Sequence, residues 1–229
     1  MDRKKKREMT LHHAVSAIGG FLGCYAIFNH NDVFGNAQTA NLIHIVCKIF
    51  SADFSGILFL VAGLAAFMAG NIFYVLATRH LKADIRAISL IMTICAVIFM
   101  GMFPHVINPY IEVLPILFVT PVQWNAFGTA GGYASATVFS SNNVRQATTS
   151  LVSYIMDKDK KMLEKTRFYW MTLLCFHAGA ALSCVTSVFC STYSIWFCFI
   201  PILLSVAAYV RLEGFKIRRV LGIPAKAGK

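Results

Sequence analysis

Twice along this chain, 102 positions apart, an apolar run breaks into a polar stretch of small residues and resumes as a short amphipathic helix. The first copy holds Gly19-Gly20-Phe21-Leu22, then Phe34-Gly35-Asn36-Ala37-Gln38-Thr39-Ala40-Asn41-Leu42. The second holds Pro121-Val122-Gln123-Trp124, then Phe139-Ser140-Ser141-Asn142-Asn143-Val144-Arg145. Hydrocarbon satisfies no backbone N–H or C=O, so irregular backbone at depth must lie against protein or a water-filled cavity. Paired breaks of this kind in a membrane protein point to a binding site or pathway.

Composition puts the chain in a membrane. Hydrophobic residues make up 57% of its 229 residues and charged residues only 14%, where soluble domains carry about 25% charged residues. Six apolar runs have the length of a span: 11–28, 56–77, 87–103, 110–131, 168–189 and 193–209. Two further helical stretches, 39–50 and 143–156, are too short and too polar at their starts to be ordinary spans.

Charge placement decides whether those two cross. Nineteen of the 21 Lys and Arg residues fall in four clusters, at 2–8, 79–86, 158–167 and 211–229. Were both short helices to cross, Arg79, Lys82 and Arg86 would lie outside. With both re-entrant or interfacial, six crossings bring all four clusters and Arg145 inside and leave Lys48 outside. The positive-inside rule favours the second arrangement. The expected fold is therefore all-α and transmembrane, with six spanning helices as two inverted three-helix repeats, each carrying one short re-entrant or interfacial helix. Three crossings per repeat is an odd number, so the second copy enters from the opposite face. The expected domains are a basic cytoplasmic N-terminus (1–10), a first repeat (11–103), a second repeat (104–212) and a basic cytoplasmic tail (213–229).

The breaks supply the candidate substrate-binding residues: Gln38, Thr39, Asn41, Gln123, Ser141, Asn142, Asn143 and Arg145. The short helices are expected to start at Thr39 and near Ser141–Asn143, residue types that cap helix N-termini. Free N–H groups there attract an anion or a dipole. The competing reading makes both stretches surface loops followed by interfacial helices. Arg145 either reinforces an anion preference or anchors its helix among lipid headgroups. His177, deep in the fifth span, is either a proton relay or a packing residue bonded to a nearby hydroxyl. Gly63, Ala66, Gly70, Gly179 and Ser183 form small-residue faces that suit close helix packing, within one chain or in a homodimer.

Other function classes lack their signatures. There is no G-x-S-x-G, H-E-x-x-H, P-loop or Gly-rich dinucleotide turn, so no enzyme and no cofactor are expected. The seven cysteines form no C-x-x-C pair, and no metal site is expected. The basic clusters flank apolar runs and read as topology signals. The expected partners are therefore membrane lipids and an unidentified small solute, with no nucleic acid.

These residues resemble the YoaK-like family of bacterial multi-pass membrane proteins. The family's first motif is similar to G-G-F-L-D-A-Y followed by F-x-N-x-Q-T-G-N-L, matched here by Gly19 to Tyr25 and Phe34 to Leu42. Its second is similar to Q-x-x-x-F, then Y-A-T-T with T-G-N-L-R. Gln123 and Phe127, Tyr133 to Ala136, and Ser141 to Arg145 match it. The resemblance covers residues 15 to 182. It implies a bacterial inner-membrane location and a multi-pass architecture, and it implies no reaction; the positive-inside rule puts both termini on the cytoplasmic side. The departures that matter are Gly23, in place of the family's Asp, and Ala40 and Asn142, in place of its glycines. The expected function is a transporter or channel for a small solute, an anion by the helix-end argument. The alternative is a non-transporting scaffold or partner-binding subunit.

Overall fold

The computed structural model describes residues 2–30, 32–104 and 109–213, with the side chains of 109 and 110 left aside. Asn31 and the expected tail beyond Glu213 lie outside the described residues. The chain runs α1 (Arg3–Asn29), α2 (Thr39–Phe50), α3 (Phe54–His80), α4 (Ile85–Met102), α5 (Pro109–Glu112) and α6 (Leu114–Ala126). A hairpin of β1 (Thr129–Ala130) and β2 (Tyr133–Ala134) follows. Then come α7 (Ser141–Asp157), α8 (Lys160–Cys190), a 3₁₀ helix over Ser191–Cys198 and α9 (Phe199–Glu213).

Aspartates start the long helices. Asp2, Asp53, Asp84 and Asp159 each accept a bond from a backbone N–H in the first turn of α1, α3, α4 and α8. A side-chain cap of this kind is worth about 1 kcal/mol. It also explains why α1 begins at Arg3, well before the apolar run that was expected to open it.

Four segments are long and apolar enough to cross a membrane: Arg3–Asn29, Phe54–His80, Ile85–Met102 and Lys160–Glu213. Six were expected, and both differences lie in the second half. The run at 110–131 forms α5 and then α6, which has 13 residues. At 1.5 Å per residue α6 alone spans roughly 20 Å, short of the ~30 Å hydrocarbon core. It stops at Ala126 because a tight hairpin follows. Gly131 and Gly132, with φ of 59° and 87°, form its two-residue turn, a conformation that only glycine adopts without strain. The run at 193–209 begins as 3₁₀ helix and continues as α9 to Glu213. Ser191, at φ 50°, breaks the 54-residue stretch that starts at Lys160, and the 3₁₀ segment packs back on α8.

α1 is the central helix. Of its most apolar window 67% is buried, against 22% for α3, whose outer face presents Leu58, Val61, Met68 and Ile72. Leu11, Val15, Ile18, Phe21 and Leu22 of α1 form the core with Ile116 and Leu117 of α6, and with Ile195 and Ile202. α1 packs on α8 and α9, and α6 packs on α3 and α4. α2 lies on α3, and α7 lies on α8.

Small residues set these contacts. A Cβ at Gly20 would sit 1.7 Å from Phe176 O, and one at Gly179 would sit 2.0 Å from Ala17 O, so α1 and α8 touch backbone to backbone. On α3, a Cβ at Gly70 would lie 2.2 Å from Phe118 O of α6. The faces on which a homodimer was expected to form are thus occupied within one chain.

Candidate functional site

Each polar break is closed by an asparagine seven residues after the backbone it holds. Asn41 donates from Nδ2 to Phe34 O (3.0 Å) and accepts at Oδ1 from Phe34 N (3.1 Å). Asn143 donates from Nδ2 to Ala136 O (2.7 Å) and accepts at Oδ1 from the Ser135 hydroxyl (2.9 Å). Phe34 and Ala136 are themselves 102 positions apart, so the two closures share one register. Both asparagines are buried.

The short helices start at Thr39 and Ser141, as expected, but their capping residues differ from expectation. Gln38 and Ser140 occupy the N-cap positions, and neither caps through its side chain. Thr39, Ser141 and Arg145 are exposed, and the Arg145 guanidinium donates to Asn142 Oδ1 at 2.8 Å. Gln38 accepts from Asn41 Nδ2 through Oε1 at 3.4 Å. Of the eight candidate residues, Asn41, Asn143 and Gln123 are buried in hydrogen bonds, and Gln38 touches that network through Asn41. Thr39, Ser141, Asn142 and Arg145 stay at the rim of their helices. His177 lies on the exposed face of α8 and bonds through Nδ1 to Leu173 O (2.8 Å), one turn back in its own helix.

Between the two closures runs a buried polar seam. Asn36 donates from Nδ2 to Gly19 O of α1 (2.7 Å), and Gln123 of α6 donates to Val15 O one turn earlier (3.3 Å). Gln123 also reaches Thr137 Oγ1 in the second break (3.3 Å). Thr120, on the same helix, donates to Gly35 O in the first break (2.9 Å). Gly19 admits the second break, since a Cβ there would stand 2.0 Å from Thr137 O. The first break therefore leans on α6 and the second on α1. Asn36 is 0% and Gln123 1% exposed. Asn36 Oδ1 and Gln123 Oε1 have no hydrogen-bond partner among the described residues.

A polar chain leads from the second break to a cavity. Asn143 Oδ1 can only accept, so the Ser135 hydroxyl donates to it, and Ser135 Oγ in turn accepts from His12 Nε2 (2.9 Å). That order places the proton of a neutral His12 on Nε2. His12 lines a cavity of about 540 Å³ beside Glu8, Arg86, Phe127 and Gly131, where α1, α4 and the hairpin meet.

Asn36, Thr137, Ser135 and the His12 ring lay outside the candidate set. The first three stood in the breaks, but their side-chain types alone did not separate them from loop residues. The signal for Thr120 and Gln123 is their i, i+3 spacing, which puts both on one face of α6. Among the described residues no group of three or more His, Cys, Asp or Glu side chains could hold a metal.

Residues 11–208 match the model of a protein family described as protein of unknown function (DUF1275). No curated protein and no solved structure matches the chain.

Proposed function

The chain belongs to the DUF1275 family, and from that premise we propose that it is a membrane carrier for a small polar solute, with the buried seam as its substrate site. The observation that carries this reading is the pair of amide oxygens, Asn36 Oδ1 and Gln123 Oε1, that lack a hydrogen-bond partner among the described residues of an apolar protein. An unsatisfied buried acceptor costs about 1–3 kcal/mol, and native proteins keep few of them. A solute that donates hydrogen bonds would satisfy both. The seam residues Thr120, Asn36, Gln123 and Thr137 carry no charge, and Arg145 stays at the surface. The proposal therefore takes a neutral or hydrogen-bond-donating solute in place of the anion suggested by the helix ends. The burial of these four residues supports a carrier in a closed conformation over an open channel.

The packing supports a reading as two repeats, α1–α4 and α5–α9. Exchanging the halves turns the α1 contacts with α8 and α9 into the α6 contacts with α3 and α4, and the α2 contact with α3 into that of α7 with α8. Together with the basic clusters, this favours an inverted pair in the inner membrane with both termini cytoplasmic. The His12 cavity is then the cytoplasmic vestibule, and the protein acts without chemistry on its solute.

One observation favours the scaffold reading. Gly19 meets Thr137 O so closely that the seam could serve folding alone. Flux measurements separate the two. Proteoliposomes of the wild type should admit at least one member of a panel of small amides, polyols, amino acids and ammonium-type cations. Gln123→Met, folded by melting temperature and elution profile, should lose most of that flux. No flux across the panel, or undiminished flux in Gln123→Met, would turn the account to a scaffold.

A further inference from the structure

Residues of α1, α7 and α8 line a second cavity, of about 660 Å³, with a basic part and an apolar part. Lys6, Lys160 and Arg167 line it as a basic rim. Met9, Leu163, Phe168 and Met171 line it as an apolar wall. The cavity straddles the passage from the basic cluster at 158–167 to the apolar run that starts at Phe168, a pattern that suits the boundary between headgroups and acyl chains.

The rim charges are available. Lys6, Lys160 and Arg167 are exposed, and none forms an ion pair among the described residues. Among the described residues one carboxylate also lines the cavity, that of Glu164, and Lys5 pairs with it at 2.6 Å. His13 is held through Nε2 against Phe168 O (3.3 Å), which fixes the floor. The Thr10 hydroxyl at the rim bonds back to Lys6 O (2.9 Å).

The geometry points to a binding site for one anionic phospholipid of the cytoplasmic leaflet, its phosphate among Lys6, Lys160 and Arg167 and an acyl chain along Met9, Phe168 and Met171. Each basic side chain near an anionic membrane surface adds to the attraction for an anionic headgroup, and a volume of this size holds a headgroup and the first part of a chain. A soluble anion would use the rim and leave the apolar wall bare, so the lipid is the occupant that matches both parts. The site ties α1, the core helix, to α7 and α8, so an occupied site would brace these elements against one another. This inference rests on the chain crossing a membrane and not on transport, so it and the carrier reading fail separately.

The test is lipid binding to the delipidated full chain in a neutral detergent, read by native mass spectrometry and melting temperature. Phosphatidylglycerol should bind about tenfold or more tightly than phosphatidylcholine of the same chains, and should raise the melting temperature. The triple variant Lys6→Gln, Lys160→Gln, Arg167→Gln should bind both lipids alike. The charge-matched control Arg3→Gln, Lys4→Gln, Arg7→Gln, altered outside the cavity, should keep the preference. Equal binding of the two lipids by the wild type would overturn the site, as would a preference retained by the triple variant or lost equally in the control. Glycerol phosphate that stabilises the protein as well as the lipid does would show a soluble-anion site and overturn the lipid assignment.

Discussion

Single side chains hold the polar breaks in shape, and Asn143 is the most demanding of them. It donates to Ala136 O and accepts the hydrogen bond of the Ser135 hydroxyl while buried. Asn143→Leu should cost about 2–4 kcal/mol, because two buried polar partners are stranded at once. Asn142→Leu, one position away at the half-buried rim, should cost no more than about 1 kcal/mol. Thermal unfolding in detergent checks the pair, and equal losses would mean that the closure of the second break does not stabilise the fold. Asp53, at the start of α3, gives a pH signature. The Lys48 ammonium, then the Gly56 N–H and the Ser55 hydroxyl, hold its carboxyl down at about 2 from an ordinary 3.8. A depressed carboxylate contributes fully above its unfolded value and loses that contribution as pH falls through its folded value. The melting-temperature gap between wild type and Asp53→Asn should therefore be constant down to about pH 5 and close between about pH 4 and 2. A gap that persists at the acid end would remove the ion pair from the account.

Among elements, the α1–α8 contact bears the most. Its two glycines face each other's backbone reciprocally, Gly20 against Phe176 O and Gly179 against Ala17 O. Gly20→Ala and Gly179→Ala must push the helices apart, and each should cost about 1–3 kcal/mol or more. Gly128→Ala, where the nearest atom would be 3.2 Å from the new Cβ, should be markedly milder. Melting temperatures of the three variants decide this, and a Gly20→Ala protein as stable as Gly128→Ala would mean that the helices are not in backbone contact. Much at this scale was legible in the chain. The apolar runs gave α3 and α4 to within a few residues, and the short amphipathic stretches gave α2 and α7. The small-residue faces were legible too, but not their partners, because spacing says that a backbone can approach and not whose backbone it is. The shortness of α6 was hidden by apolar residues that continue past its end, and the Gly131-Gly132 turn marks that end only once β1 and β2 pair across it. At the site, the breaks and Asn41, Gln123 and Asn143 were readable from the repeat. The seam that joins them was not, since Gly19 O and Val15 O are backbone acceptors that every sequence carries.

Across the whole molecule the first break rests on α6 through Thr120 and the second on α1 at Gly19, and the contacts of α1 with α8 and α9 parallel those of α6 with α3 and α4. If the halves are inverted, solute reaching the seam from either face passes one break and not the other, as alternating access requires. That makes the sidedness of the breaks the account's central claim. The direct measurement uses a cysteine-free background, with all seven native cysteines replaced, and single probes at Gln38→Cys and Asn142→Cys. A membrane-impermeant thiol reagent is applied to each face of oriented vesicles. The account predicts that Gln38→Cys labels only from the outside and Asn142→Cys only from the cytoplasmic side. Labelling of both probes from one face would contradict the inverted repeats, and with them the carrier built on two opposed breaks.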